Sequence, residues 1–273
     1  MLLNHFIGFS LISEKNTFRF NSLLKHSRLV YLIAFMMSFL IHVNSQSATE
    51  LVRKAEEKGR GTSSQALIKI QTVRPKWTRE IQLKAWTKGK EMSMILITEP
   101  TKDRGIAFLK KNKEIWNWIP NIERHIKLPP SMMTQSWMGT DFTNDDLVKE
   151  SSIVEDYTQE IIGEEKIGQY PCSKIELRPK ERAAVIWNKI ILWIYPKEFL
   201  LLKAEYFDED DMLVNRMQAF DVKMFGDRLL PSRMIMEPSD KPGHQTVMTY
   251  ISLAFDVPIQ DQFFSTQNLS RLK

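Results

Sequence analysis

The sequence predicts a mainly β domain built from antiparallel strands. Most of the chain after residue 64 divides into about a dozen short segments with strand-like alternation or apolar runs. These cover residues 65–73, 78–87, 91–98, 105–109, 114–119, 157–163, 172–178, 188–195, 200–208, 213–223, 228–237 and 246–255. Links such as Arg74-Pro75 and Lys88-Gly89-Lys90 are too short for the crossover between parallel strands, so neighbouring strands must run antiparallel.

Two of the predicted strands are apolar on both faces. Residues 92–97 read MSMILI and residues 190–195 read IILWIY. A sheet with one face in water does not need this pattern, so something must cover each face. Two arrangements satisfy the requirement and stay open at this point. One is a sandwich with a filled core, and the other is a half-open barrel with helices on one face and a cavity lined by the other.

A segment rich in methionine and tryptophan separates the two series of strands. Residues 131–139, here called the lid, include Met132, Met133, Trp137 and Met138. This is more apolar surface than a free surface loop usually carries. The lid is therefore either part of the core or a cover over an apolar cavity, a role that suits methionine because its side chain adapts to varied apolar partners.

Two helices are predicted at the ends of the first strand series. The first covers residues 48–58 and ends at Gly59 and Gly61. The second covers residues 142–152 and follows the lid. Thr143 is its expected N-cap, and Asp146, three residues later, completes an acidic variant of the capping box.

The N-terminal region is typical of a signal peptide. Residues 29–43 form an apolar run preceded by Lys25, His26 and Arg28. As a helix this run would be about 22 Å long, shorter than the roughly 30 Å hydrocarbon core of a bilayer. Ser45, a small residue just before Gln46, and Val43, which is tolerable two places earlier, fit cleavage near Ser45/Gln46. We therefore expect a signal peptide with a long N-terminal lead over residues 1–45 and one domain over residues 46–273, with an uncleaved membrane anchor as the alternative.

Charge and cysteine content exclude several classes of protein. The net charge is +5, but the signal segment accounts for much of it: residues 1–45 contain four Lys/Arg and one Glu, which leaves 34 basic and 32 acidic residues. That balance does not support a nucleic-acid-binding surface. The single cysteine, Cys172, excludes an internal disulfide and a cysteine-cluster metal site, and we expect it to be a small buried side chain in a strand.

The sequence offers little catalytic chemistry. His125 and His244 have no nearby serine or cysteine in a nucleophile context. Residues 208–211 (DEDD) lack the alternating ligands, central glycine and distal glutamate of a calcium loop, so they are expected to form a hairpin turn. We therefore predict no enzyme, no cofactor and no metal.

Several runs of the sequence resemble a known family. They are RPKWTREIQLKAW at residues 74–86, TKDRGIAFL at 101–109, WNWIPNIERHIKLPPSMMTQSWMGTDFTNDDLVKES at 116–151, GQYPCSKIELRPK at 168–180 and SDKPGHQTVMTYISLAFDVPI at 239–259. Together they are similar to the outer membrane lipoprotein-sorting proteins, relatives of the periplasmic lipoprotein carrier LolA. The resemblance implies an open, strongly curved antiparallel β-barrel of about 11 strands, with a few helices capping an apolar cavity.

The same resemblance implies a function. It points to a monomeric periplasmic carrier that binds lipid or lipoprotein acyl chains and that has an inner-membrane transporter as partner. The alternative is a periplasmic adaptor of a transporter complex whose cavity is filled by side chains; a lipid hydrolase is the weakest candidate. The candidate cavity lining comes from the early strands and the lid and consists of Trp86, Met94, Leu96, Phe108, Trp116, Trp118, Met132, Met133, Trp137 and Met138.

Overall fold

The computed structural model describes residues 48–112, 114–148 and 152–272. The predicted signal segment therefore lies outside the described residues, and so do residues 149–151 of the predicted helix 142–152, whereas Ser152, its predicted last residue, is not helical. Within the described part, no helix is long and apolar enough to cross a membrane.

The described chain forms one antiparallel sheet of 13 strands. The strands are β1 Ser63–Arg74, β2 Trp77–Lys88, β3 Met92–Glu99, β4 Ala107–Lys111, β5 Glu114–Ile119, β6 Arg124–Lys127, β7 Tyr157–Ile167, β8 Tyr170–Pro179, β9 Lys189–Tyr195, β10 Leu200–Phe207, β11 Leu213–Phe225, β12 Arg228–Pro238 and β13 Gln245–Phe255. The spatial order is β6-β5-β4-β3-β2-β1-β13-β12-β11-β10-β9-β8-β7. The sheet is curved and open, with β6 and β7 at its edges, which confirms the predicted fold class.

The strand count differs from the expected number of about 11. Residues 124–129, whose alternation also predicts an extended strand leading into the lid, contain the short edge strand β6, which pairs with β5, with Trp116 opposite Lys127 and Trp118 opposite His125. Every predicted strand is present, with ends that differ by a few residues. The strands and their antiparallel pairing could be predicted because the links between consecutive strands are too short for most other arrangements.

Helix α1 covers residues 48–60, close to the predicted 48–58. Ala48 and Val52 are fully buried against the sheet, and the exposed side carries ion pairs such as Arg53 with Glu57. Gly61 ends the helix with φ at 68°, and its N–H donates to the carbonyl oxygen of Glu57 at 2.9 Å. The left-handed backbone favours glycine at this position, and a Cβ there would also crowd the guanidinium of Arg228 and the ring of Phe255.

Helix α2, Asn144–Val148, begins at the predicted cap. The hydroxyl of Thr143 accepts a hydrogen bond from the backbone N–H of Asp146 at 3.1 Å. In return, the Asp146 carboxylate accepts hydrogen bonds from the backbone N–H and the hydroxyl of Thr143, each at 2.8 Å. This reciprocal arrangement confirms the acidic capping box.

The sheet has an inner and an outer apolar face. The main buried cluster lies on the inner face, where side chains from β1, β2, β3 and from β8 to β13 meet α1 and Trp137 of the lid. A second cluster lies on the outer face of β3 and β4, under the C-terminal segment that contains helix α3, Thr266–Leu269. Both faces of residues 92–97 are therefore covered, as the sequence pattern required.

Two smaller predictions are also confirmed. Cys172 is a buried free cysteine in β8, beside Trp193 on the outer face of the second strand series. Residues 208–211 form the turn between β10 and β11, in which a carboxylate oxygen of Asp208 accepts hydrogen bonds from the backbone N–H groups of Asp210 and Met212. The acidic run is thus an ordinary hairpin turn.

Candidate functional site

The inner face of the sheet encloses a cavity of about 360 Å³. This volume lies within the range of roughly 300–1,000 Å³ that is usual for small-molecule sites. Most of its lining side chains are aliphatic, aromatic or methionine, and they come from strands on both sides of the barrel. They include Ile68, Ile70, Leu83, Ile95, Ile190, Leu192, Met217, Met234, Met236, Met248 and Tyr250.

Strand register arranges these side chains in rows across the sheet. Leu83 of β2 lies opposite Ile68 of β1, which in turn lies opposite Tyr250 of β13. One row further along, Ile70 lies between Ile81 and Met248. Because directly opposite residues point to the same face, apolar alternation in each strand adds up to a continuous apolar surface.

Four methionines form the wall of the cavity on the side of β11, β12 and β13. Met217 lies opposite Met236, and Met234 lies opposite Met248. All four border the cavity. Their flexible, polarizable side chains can fill a space of varied shape, which suits a site that must fit around a mobile apolar group.

A row of polar residues ends the apolar surface at one side of the cavity. Ser64 of β1, Thr87 of β2, Ser93 of β3 and Lys110 of β4 are successive cross-strand neighbours, and all four border the cavity. The hydroxyl oxygens of Ser64 and Thr87 are 2.6 Å apart.

Ionisable side chains border the cavity outside this row. They include Glu56 and Arg60 of α1, which form an ion pair, and Lys90 of the turn between β2 and β3. Lys90 binds the carboxylate of Glu155 at 2.8 Å, and this hydrogen bond lowers the pKa of Glu155. Asp145 and Asp146 of α2 border the cavity as well, so its lining combines apolar strand side chains with polar and ionisable residues from β1 to β4, α1, α2 and the turn between β2 and β3.

Three tyrosines on the cavity wall carry no charge at neutral pH. Burial raises the pKa of Tyr157, of Tyr206 and of Tyr250 above the ordinary value for a phenol. The hydroxyl of Tyr157 also donates a hydrogen bond to the carbonyl oxygen of Trp187 at 3.1 Å. Their contribution to the site is therefore apolar ring surface and not a titrating group.

The lid folds as two short turns over one end of the barrel. Trp137 is completely buried and its ring lies 5.6 Å from that of Phe108. Met138 also packs on the main cluster, and its backbone is left-handed, with φ at 49°. Met132 and Met133 instead pack in a separate small cluster with Ile115. The lid is thus split between the inner core and a side cluster.

Polar contacts attach the lid and Asp141, two residues after it, to the sheet. Arg74, at the end of β1, makes a two-pronged ion pair with Asp141 at 2.9 Å, and both side chains are about nine-tenths buried. The hydroxyl of Thr246 in β13 also donates to the Asp141 carboxylate at 2.7 Å. Arg79 of β2 donates to the carbonyl oxygen of Met138 at 3.0 Å and pairs with Asp103.

The structure places the ten candidate lining residues in several positions. Trp86 borders the cavity, although its ring also contacts Phe263 on the outer face at 5.3 Å. Phe108, Trp137 and Met138 belong to the inner core, and Met132 and Met133 to the side cluster. Met94, Leu96, Trp116 and Trp118 lie in the outer cluster.

The placement of these last four follows from strand periodicity. On β3, Met94 and Leu96 point outward, whereas Ile95 and Ile97 point inward. The pattern MSMILI is apolar on both faces, so it does not indicate which face lines the cavity. The methionine wall of the cavity, formed by Met217, Met234, Met236 and Met248, was not predicted from the sequence. The alternation of Met234 and Met236 within β12 could have indicated that these two side chains share one face.

Among the described residues, no group of three His, Cys, Asp or Glu side chains could hold a metal ion. His125 is exposed on β6 and its ring lies 4.7 Å from that of Trp118. The fold and this site together define an open antiparallel half-barrel around an apolar cavity.

Comparison with known proteins identifies the family of this chain. A family model described as that of an uncharacterized protein matches residues 89–271, and the chain belongs to that family. A comparison with curated protein sequences finds no match.

Solved structures with the same fold include three bacterial proteins. An outer membrane lipoprotein-sorting protein domain from Vibrio parahaemolyticus is 18% identical, with a TM-score of 0.74 over 84% of this chain and 100% of that chain. A DUF1329 family protein from Desulfovibrio piger is 20% identical, with a TM-score of 0.75 over 83% and 99% of the two chains. A LolA superfamily protein from Nitrosomonas europaea is 25% identical, with a TM-score of 0.69 over 81% and 98%. The resemblance drawn from the sequence is confirmed.

Proposed function

We propose that this protein is an exported carrier that holds an acyl chain of a lipid or lipoprotein in its inner cavity. The observation that carries the proposal is the continuous, largely apolar inner face, which borders about 360 Å³ without a charged side chain across its central rows. Each methylene taken from water into such a space contributes about 0.8 kcal/mol. The LolA superfamily fold supports the same role.

Carriage of this kind needs no covalent step, so we propose a binding protein without enzymatic activity. Release needs a partner that binds a more open state of the barrel better than the closed one, because a partner that binds both states equally does not change their relative populations. We propose an inner-membrane transporter of the lipid-exporting kind as this partner. The lid attachment at Arg74 and Asp141 is where opening would begin, since it links the lid to β1 and β13.

The proposed place of action is the periplasm. The apolar run at residues 29–43 and the small residue Ser45 before Gln46 support export with cleavage near Ser45, which would leave residues 46–273 as the mature carrier domain. N-terminal sequencing of protein recovered from the periplasm tests this. A mature chain beginning near Gln46 is expected, and recovery of the full-length chain in the membrane fraction would contradict it.

Co-purifying lipid tests the carrier function itself. Protein purified from its native periplasm without detergent should yield acyl lipids in organic extracts analysed by mass spectrometry, at a constant ratio to protein across preparations. A same-sized periplasmic protein purified in parallel serves as the control. Extracts indistinguishable from the control would favour the adaptor, in which the cavity takes no cargo.

A further inference from the structure

We infer that the cavity accepts a single acyl chain of about twelve carbons, so that the cargo is a one-chain amphiphile or exposes only one chain to the carrier. This inference rests on the proposed carrier function and defines its substrate class. It follows from the volume of the cavity and from the residues that limit it.

The volume sets the number of chains. A methylene group occupies about the space of a water molecule in the liquid, roughly 30 Å³, so a cavity of 360 Å³ holds about a dozen of them. A cargo with two or three acyl chains would need two or three times this volume. Protein interiors are close-packed and do not provide such space without a large rearrangement.

Polar rows limit the apolar surface at both ends. On the inner face of β1, the apolar residues Ala66, Ile68 and Ile70 lie between Ser64 and Thr72. Ser64 belongs to the polar row that ends at Lys110, and Thr72 lies opposite Arg79 and Thr246. Methylenes beyond the capacity of the central rows would have to lie against hydroxyls and charged groups or in water, and they would add little to the affinity.

The shape of the lining agrees with one chain. Small residues, Ala66 and Ala85, lie opposite each other next to the polar row and leave room on the inner face, whereas Ile70 and Ile81 in the deeper row fill it. The space therefore narrows away from the polar border. A slender chain fits this shape better than two chains side by side.

A chain-length series tests the inference. Lysophosphatidylcholines with acyl chains of 8, 10, 12, 14 and 16 carbons are titrated as monomers into delipidated protein by isothermal calorimetry. Each added methylene should strengthen binding by up to about fourfold until the chain reaches about twelve carbons, and the gain should then stop. The stoichiometry should be one ligand per protein, and dihexanoylphosphatidylcholine, which has the same twelve acyl carbons in two chains, should bind at least tenfold more weakly than the C12 ligand.

A cavity-shortening variant sharpens the test. Ala85→Leu adds three carbons to the inner face and should move the break in the series to chains about three carbons shorter. Lys84→Leu places the same side chain on the opposite, exposed side of β2 and should leave the break unchanged. Thermal unfolding of both variants checks that each is folded. If either variant does not fold, the chain-length series on the parent protein still tests the inference.

The possible outcomes separate the two claims. Affinity that rises steadily to sixteen carbons would overturn the limit of about twelve carbons, and two ligands per protein or equal binding of the two-chain lipid would overturn the single chain. Each of these results would leave the carrier function in place. A protein that binds none of the ligands would contradict the carrier function and this inference with it.

Discussion

The two apolar faces of the first strand series are covered in different ways. On the outer face, Phe264 and Leu269 of the C-terminal segment are fully buried against Met94 and Leu96 and fill the space. On the inner face, α1 and the lid cover the sheet but leave the cavity. The difference shows that apolar strand faces can have the same composition and opposite roles, because the role depends on the segment that covers them.

The attachments of the two covers differ as well. The C-terminal segment is held mainly by apolar burial, with Ser265 capping α3. The lid is held by the buried ring of Trp137 and also by Arg74, which donates to the carbonyl oxygen of Gly139 and pairs with Asp141, two residues after the lid. Apolar burial has no directional requirement, whereas an ion pair is lost as a unit when its geometry is broken. We therefore expect the outer cover to be permanent and the inner cover to be the one that opens.

The largest expected effect comes from the outer cover. Phe264→Ala should lower the free energy of unfolding by about 3–5 kcal/mol, because it removes a fully buried ring and leaves a cavity in the outer cluster. Binding of an apolar probe to the inner cavity should be unchanged under conditions where the variant is folded. Chemical denaturation measures the first quantity. A loss below 1 kcal/mol would mean that the C-terminal segment is not an essential cover.

The lid attachment should give a smaller loss of stability with a change in binding. Arg74→Met keeps the apolar stem but leaves the Asp141 carboxylate buried without its cation, which costs about 3 kcal/mol. Probe association and dissociation rates, measured by stopped-flow fluorescence, should both rise because the lid opens more often. The double variant Arg74→Met with Asp141→Leu should regain much of the stability, since no charge remains buried. Unchanged probe association and dissociation rates in both variants would show that the lid does not control access to the cavity.

The cap of α2 should give the smallest effect. Thr143→Ala removes the hydroxyl that accepts from the Asp146 N–H, and it should cost about 1 kcal/mol. Thr134→Ala, at an exposed position in the lid, is the matched control and should stay within about 0.5 kcal/mol of the parent. Equal melting temperatures for the two variants would show that the cap adds no stability.

The sequence predicted the fold better than the site, for a physical reason. Short links, strand alternation and the cap at Thr143 are local signals, and each specified its part of the sheet or helix. The inner face is a property of the curvature of the whole sheet, which local alternation does not encode. Met94 was therefore assigned to the cavity although Ile95, its neighbour, borders it, and the methionine wall on β11 to β13 was overlooked.

The central claim is that the inner face binds an apolar chain and the outer face does not. Two matched variants test it most directly: Met234→Gln on the cavity wall and Met94→Gln in the filled outer cluster. The measurement is saturable binding of an apolar fluorescent probe to delipidated protein, with displacement by fatty acid, alongside the free energy of unfolding of each variant.

We predict that the parent protein binds the probe at one site and that Met234→Gln weakens this binding about tenfold with less than 1 kcal/mol change in stability. Met94→Gln should instead lower the stability by about 1–3 kcal/mol, because its amide is buried without a partner, and leave probe affinity unchanged. No saturable binding in the parent, or a stability loss for Met234→Gln as large as that for Met94→Gln, would contradict the account, since both results describe an inner face filled like the outer one.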